Sequence, residues 1–302
     1  MTDVELLALN SIFMFTLNAS EDCRAYIPHA FDPVAAQVKT ELKQHFGFEI
    51  MDEESTRLCI TIENLLLNNE DAEGTILQYL QSTRNGSPKV HSVAKVIYEL
   101  YKTYKQDIDL SDDDEENAFV NLAFKPFADV ILSEIHHSRL GQKRKHSMEA
   151  WEFHANATVS TVISDHNRNC LIVKAKSPQQ PTVAELVRMA FGMKTMLDHL
   201  VDEHVNQPMT FGIYIEGCQC RSFKMDLQYD GIYRLVQLRQ FSLMKNIYDF
   251  GMIRNTICSL RQLKTLVNEC ILSIRARRQL TPEGIQRQVW KRPTVFIPNW
   301  QL

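Results

Sequence analysis

The stretch NATVSTVISDHNRNCLIVKAKS, residues 156–177, decides the fold class. Ala157, Val159, Thr161 and Ile163 fall on alternate positions, the period of a strand with one buried face. Asp165-His166-Asn167-Arg168-Asn169 supplies turn chemistry, and residues 170–175 return as a second strand. A β-hairpin is the expectation. The period then changes. Pro181-Thr182 opens a helix in which Thr182 and Glu185 have capping-box spacing, and Leu186, Met189, Met193, Met196, Leu197 and Leu200 make an apolar face that runs toward His204. Residues 211–215, 223–227 and 232–238 read as three more strands, the last two joined across Asp230-Gly231, a strong hairpin signal. A long amphipathic helix through Ile253, Ile257, Leu260, Leu263, Leu266 and Ile271 follows, and Arg275, Arg277 and Arg278 suit its C-terminal end. Thr281-Pro282 starts a short final turn.

Upstream of this stretch the first hundred residues read as helix after helix. Asp32-Pro33 is an N-cap followed by Pro at the first helical position, Val34, Val38, Leu42 and Phe46 share a face, and Gly47 stands at the stop. Leu58, Ile62, Leu65 and Leu66 repeat the spacing, as do Ile76, Tyr79 and Leu80, then Val93, Val96, Ile97, Leu100 and Tyr104. An acidic run from Ser111 to Glu116 marks a seam and suits the start of the next helix, with a phosphorylation site as the other reading. That helix carries Phe119, Leu122, Phe127, Val130 and Ile131, and Pro126 forces a kink or break near Lys125. The division expected is a helical domain at 1–110, an α+β domain at 118–275 and a basic tail with a short helix at 276–302. The fold class is α+β, with an all-helical N-terminal half followed by a mixed sheet and flanking helices.

Composition narrows the function classes. The chain has 302 residues, 44% of them apolar and 23% charged, which supports a real core and excludes a disordered tail protein. Its 33 basic and 37 acidic side chains leave a net charge of −4, so nucleic acid is not coated through bulk positive charge and any contact is local. No basic region precedes the first apolar stretch, and residues 6–17 are too short to cross a bilayer. An intracellular protein, nuclear or cytoplasmic, with no membrane contact is expected. Seven scattered cysteines at 23, 59, 170, 218, 220, 258 and 270 read as reduced thiols. Cys218-Gln219-Cys220 would put two sulfurs on one face of a strand, as buried thiols or as half of a metal site that lacks a second pair. His136, His137, His146 and His154 lack zinc-helix spacing, and Asp198 and Asp202 read as a solvated helix face or a cation site. There is no Gly-rich phosphate loop and no nucleophile elbow, which disfavours nucleotide-dependent enzymes and serine hydrolases.

Two strands, a helix and another strand is the core order of the PD-(D/E)XK nuclease superfamily, and residues 118–268 resemble it. Within that superfamily the chain looks like a branch of uncharacterised proteins from early-diverging fungi, with a helical N-terminal half, a basic linker, a hairpin and a Gly-Ile-Tyr-rich sheet ending. The family carries an Asp on one core strand and, on the next, an Asp or Glu two residues before a Lys. The acids bind Mg²⁺, and the Lys helps to orient or activate the attacking water. Here Lys176 stands at the family's Lys, Lys174 occupies the place of the acid, and Asn156 stands where the Asp is expected. The resemblance therefore implies a degenerate site that is positively charged and poor in metal ligands, yet able to cradle a phosphate. Glu185, Glu134, Glu152 and Asp165 are the carboxylates near enough in sequence to replace the missing ones.

The expected function is a catalytically degenerate nuclease-fold protein that contacts nucleic acid or phosphate through Lys174, Lys176 and the basic loop Lys143-Arg144-Lys145. That loop also suits nuclear import or plain solvation. One alternative is a non-enzymatic interaction module whose helical half meets a protein partner. The other is an active, Mg-dependent phosphodiester hydrolase with relocated carboxylates, the one case that requires a cofactor.

Overall fold

Tight turns at 217–218 and 230–231 fold residues 209–242 back on themselves twice, with Gly217 at φ +55° and Gly231 at φ +67° taking the left-handed backbone that side chains resist. The resulting meander is the centre of one mixed sheet. The computed structural model describes residues 3–16, 32–44, 50–105, 120–132, 135, 156–163, 166–175, 185–275 and 282–294. Six strands occur among them: β1 (Ile12–Phe15), β2 (Asn156–Ile163), β3 (His166–Ala175), β4 (Met209–Glu216), β5 (Gln219–Tyr229) and β6 (Ile232–Ser242), in lateral order β1-β6-β5-β4-β3-β2. The β2–β3, β4–β5 and β5–β6 pairs are antiparallel, and the β3–β4 and β1–β6 pairs are parallel.

The helices are α1 (Asp3–Leu9), α2 (Asp32–Gln44), α3 (Glu53–Leu67), α4 (Glu73–Thr83), α5 (Pro88–Lys105), α6 (Glu185–Asp202), α7 (Ile253–Arg275) and α8 (Pro282–Trp290). Between α5 and β2, residues 120–132 form an irregular helix in which Pro126 sits in a three-residue α segment flanked by two wider, π-type stretches. A missing N–H at Pro126 accounts for the break. α6 is the crossover from β3 to the parallel strand β4, and His204 at φ +58° ends it with Val205 N–H bonded to the Leu200 carbonyl.

The sheet is covered on both faces, each by its own apolar cluster. On one side α6 and α1 supply Leu186, Met189, Met193, Leu197 and Leu7 against Tyr214, Phe223, Met225 and Leu235. On the other, α7 lies on the sheet with Leu260 in one cluster with Val173, Phe211, Ile213 and Val236, and that cluster continues outward through Phe124 and Phe127 of the irregular helix to Leu58 of α3 and Ile97 of α5. The apolar faces of α3 and α5 are thus spent on one another, on α7 and on the irregular helix, within a core continuous with that of the sheet.

Two expectations are corrected by this arrangement. Residues 1–110 are not all helical, because Ile12–Phe15 runs parallel to β6 as the edge strand, with Tyr233 N–H bonded to the Ser11 carbonyl. A four-residue apolar run between helices carries too little periodicity to announce itself. The hairpin turn is also tighter than its polar composition suggests. His166 pairs with Ile163, so residues 166–169, read as turn, already belong to β3.

Candidate anion site at the end of the sheet

Register places one residue from each of five strands in a row: Asn156 of β2 beside Lys174 of β3, Lys174 beside Tyr214 of β4, Tyr214 beside Arg221 of β5, and Arg221 beside Gln240 of β6. The row lies at the C-terminal end of the parallel strands β3 and β4. In open mixed sheets ligands bind outside that end, where the strand-to-helix connections leave a crevice. The helix that follows β3 begins there as well, with Glu185 in its first turn.

The side chains meet above the row. Lys174 Nζ lies 3.8 Å from Glu185 Oε2, and Arg188 Nη1, one turn further along α6, donates to Glu185 Oε1 at 2.5 Å. Arg221 spreads its guanidinium over the Tyr214 ring at 5.1 Å from the centroid and lies 3.7 Å from Glu216. Three cations and two carboxylates therefore share this end of the sheet. Lys174 is 15% exposed at its side chain, Arg188 28% and Arg221 30%, so the charges are recessed but reachable. Burial pulls the Lys174 ammonium below the usual lysine range, Glu185 partly restores it, and Arg188 opposes it again.

Of the residues expected from sequence, register sets the Asn156 backbone beside that of Lys174, and the Lys174 side chain reaches Glu185. Lys176, the Lys143-Arg144-Lys145 loop, Glu134, Glu152 and Asp165 lie outside the described residues. The Glu185 carboxylate is engaged by two cations, and among the described residues no group of three or more His, Cys, Asp and Glu is placed to hold a metal ion. What the arrangement offers is donors: one ammonium, two guanidinium groups and the positive end of an 18-residue helix.

The other candidate constellations are corrected by their surroundings. Cys218 sits in the β4–β5 turn while Cys220, buried, is the second residue of β5, so the two thiols do not share a strand face. Asp198 and Asp202 are not a cation site. Asp198 accepts the Tyr233 hydroxyl at 2.6 Å, and Asp202 is bound by Lys291.

One cluster went unread in the sequence. Lys224, Asp226 and Arg234 are buried on the face of β5 and β6 that α2 covers, with Glu41 of α2 completing the group. Part of the signal was present. Lys224 and Asp226 alternate with Phe223, Met225 and Leu227, which puts both charges on one face, but counting back from the Asp230-Gly231 turn would set Leu227 opposite Arg234, and only the β-bulge between Leu227 and Tyr229 brings Asp226 there. Arg234 makes two hydrogen bonds to Asp226 and one from each terminal nitrogen to Glu41 at 3.2 Å, and Lys224 Nζ is 2.8 Å from Asp226. Two positive and two negative groups cancel, which makes this a structural network rather than a binding site.

Comparison of the chain with family models, with curated proteins and with solved structures finds no match.

Proposed function

We propose that this protein contacts phosphate groups, those of nucleic acid foremost, without cleaving them, and that the sheet-end row is the contact. The reading is that of a nuclease-like sheet in which cations have replaced the metal-binding acids. One observation carries it: Lys174 stands in register between Asn156 and Tyr214, and Glu185, the one carboxylate among the described residues that reaches it, is already held by Arg188. A phosphate approaching the row meets Lys174, Arg188 and Arg221, and a single oxyanion need only loosen Glu185 to be received. Membrane contact has no support from length, since among the described residues no helix is long and apolar enough to cross a bilayer.

The test is a titration of labelled single- and double-stranded oligonucleotides between 50 and 300 mM salt. With about three phosphate contacts, log K should fall against log salt with a slope of roughly −2 to −3. Lys174→Ala and Arg221→Ala should each flatten that slope by about one unit. Mg²⁺ or Mn²⁺ should produce no cleavage. A flat salt profile, or binding that both substitutions leave untouched, would remove the proposal. In the competing idea, a helical half that serves as a partner surface, α3 and α5 would have to use their outer faces, because their main apolar faces are already buried against other helices.

A further inference from the structure

The last described residues, Lys291 to Thr294, lie across the α6 side of the sheet in a clasp of specific contacts. Gly231 N–H donates to the Trp290 carbonyl at 3.1 Å, Lys291 binds Asp202, and Arg292 binds Asp230 at 2.7 Å. Arg292 N–H reaches the Tyr233 hydroxyl at 3.3 Å, and that hydroxyl donates to Asp198. Beneath the clasp sits Lys194, whose side chain is shut off from solvent. Its ammonium donates to the Arg292 carbonyl at 2.7 Å and to Thr294 Oγ1 at 3.1 Å, and lies 4.8 Å from the centre of the Tyr233 ring.

This is an unusual way to bury a cation. Both oxygens that accept from Lys194 are neutral, and among the described residues no carboxylate lies within ion-pair distance of it. The acid that acts on it electrostatically is Asp198, one turn along α6, whose carboxylate is engaged by Tyr233. A buried charge is costly unless paired, so the site is short of one negative group. One of its two acceptors is a hydroxyl that can become such a group, on a residue that is partly exposed. Two cations, Lys291 and Arg292, stand three and two positions before that hydroxyl, the side on which basophilic protein kinases read their substrates.

We propose that Thr294 is a phosphorylation site for a basophilic protein kinase and that Lys194 is the cation built to receive its phosphate. In the transfer, Thr294 Oγ forms a bond to the γ-phosphorus of ATP, the bond from that phosphorus to the β,γ-bridging oxygen breaks, ADP leaves and the hydroxyl proton passes to the kinase. The kinase needs Lys291 and Arg292 free for recognition, and the ion pairs that hold them are partly exposed and open at little cost. Once the segment closes again, the dianion faces Lys194 and replaces a neutral acceptor with a charged one. Phosphorylation on this view locks the clasp and α8 against the sheet. The inference is independent of the anion site at the end of the sheet.

The experiment incubates the full chain with Mg-ATP and a basophilic serine/threonine kinase, maps the label by fragmentation mass spectrometry, and compares labelled and unlabelled protein. The expected result is phosphate on Thr294, lost at least tenfold in the Lys291→Ala, Arg292→Ala double variant. The labelled chain should melt higher by about 2 °C or more, and amide exchange over residues 282–294 should slow severalfold. Absence of phosphate from Thr294 while another residue is labelled would overturn the proposal. So would a labelled chain that melts no higher, or that exchanges faster over 282–294.

Discussion

Asp226 and Arg234 face each other across the β5–β6 hairpin through two hydrogen bonds, Nε to Oδ1 at 2.6 Å and Nη2 to Oδ2 at 2.8 Å, with both side chains buried. Burial by itself would lift the Asp226 carboxyl, but the charges of Lys224 and Arg234 outweigh it and hold the group below the usual carboxylate range. Replacing Asp226 by Asn removes the charge and leaves two buried cations with Glu41 alone. Asp226→Asn should therefore cost about 3–5 kcal/mol, the range for breaking one member of a buried ion pair. Urea unfolding followed by circular dichroism measures it, and a cost under 1 kcal/mol would mean that the network relaxes or fills with water.

The same group sets the response to acid. A carboxyl whose folded value lies below its unfolded value contributes stability that is fully present above the unfolded value, about pH 4, and is lost as pH falls through the folded one. Stability should thus decline steeply below about pH 4, and the Asp226→Asn variant, already without the charge, should show a shallower decline. Parallel acid titrations of the two proteins decide the point.

The sheet and its crossover helix were legible because their signals are local. The Asp230-Gly231 turn, the apolar stripe of α6 and the alternation in 157–163 each fix an element without help from the rest of the chain. The juxtaposition of Asn156 with Lys174 was not, because 166–169 read as turn and the register also shifts at a bulge between Val159 and Ser160. What else the sequence hid is long-range. β1 belongs to the sheet only because β6, more than two hundred residues later, offers it a parallel edge, and Arg188 and Arg221 join Lys174 through a helix crossover and two strand registers. The capping-box reading of Glu185 also missed its charge partners, which come from tertiary packing.

Glu185 engages two cations of the proposed anion site, Lys174 and Arg188. Neutralising it in Glu185→Gln keeps the shape of the side chain and removes the negative charge beside Lys174 and Arg188. Removing one negative charge about 5 Å from a bound phosphate should gain about 1 kcal/mol at low salt, a roughly fivefold tighter oligonucleotide complex. Binding should also fade with rising pH sooner than an ordinary lysine would dictate, because burial lowers the Lys174 value. Weaker binding by Glu185→Gln would show that Glu185 positions the site instead of competing for it.

Thiol chemistry should follow burial. Cys59, Cys170, Cys220 and Cys270 are buried, whereas Cys218 and Cys258 are partly exposed. Desolvation pushes the Cys59 thiol up to about 12 and the Cys220 thiol higher still. At pH 8 a maleimide probe should modify Cys218 and Cys258 at least tenfold faster than Cys59 or Cys220 in the native protein, and denaturant should erase the difference. Mass spectrometry after timed quenching provides the check. Equal labelling of Cys218 and Cys220 in the native state would contradict the turn position of one and the core position of the other.

α6 rests on the sheet at a distance that two glycines permit. A Cβ built on Gly212 of β4 would lie 2.7 Å from Met193 Sδ and 2.9 Å from Met189 Sδ, while one on Gly192 of α6 would lie 3.1 Å from Ile172 Cδ1 of β3. Both methionines are buried, and a sulfur in mid-chain cannot swing aside without moving its neighbours. Gly212→Ala should therefore cost about 1–3 kcal/mol by overpacking. It should also weaken phosphate binding to the extent that lifting α6 carries the Arg188 guanidinium away from Lys174. Gly74, in the first turn of α4 with open space around it, is the control, and Gly74→Ala should stabilise by about 0.4–1 kcal/mol through the unfolded chain. Unfolding midpoints and oligonucleotide titrations on the two variants separate the effects. If Gly212→Ala matched Gly74→Ala in stability, α6 would not be held as close to the sheet as the contacts at Met189 and Met193 require.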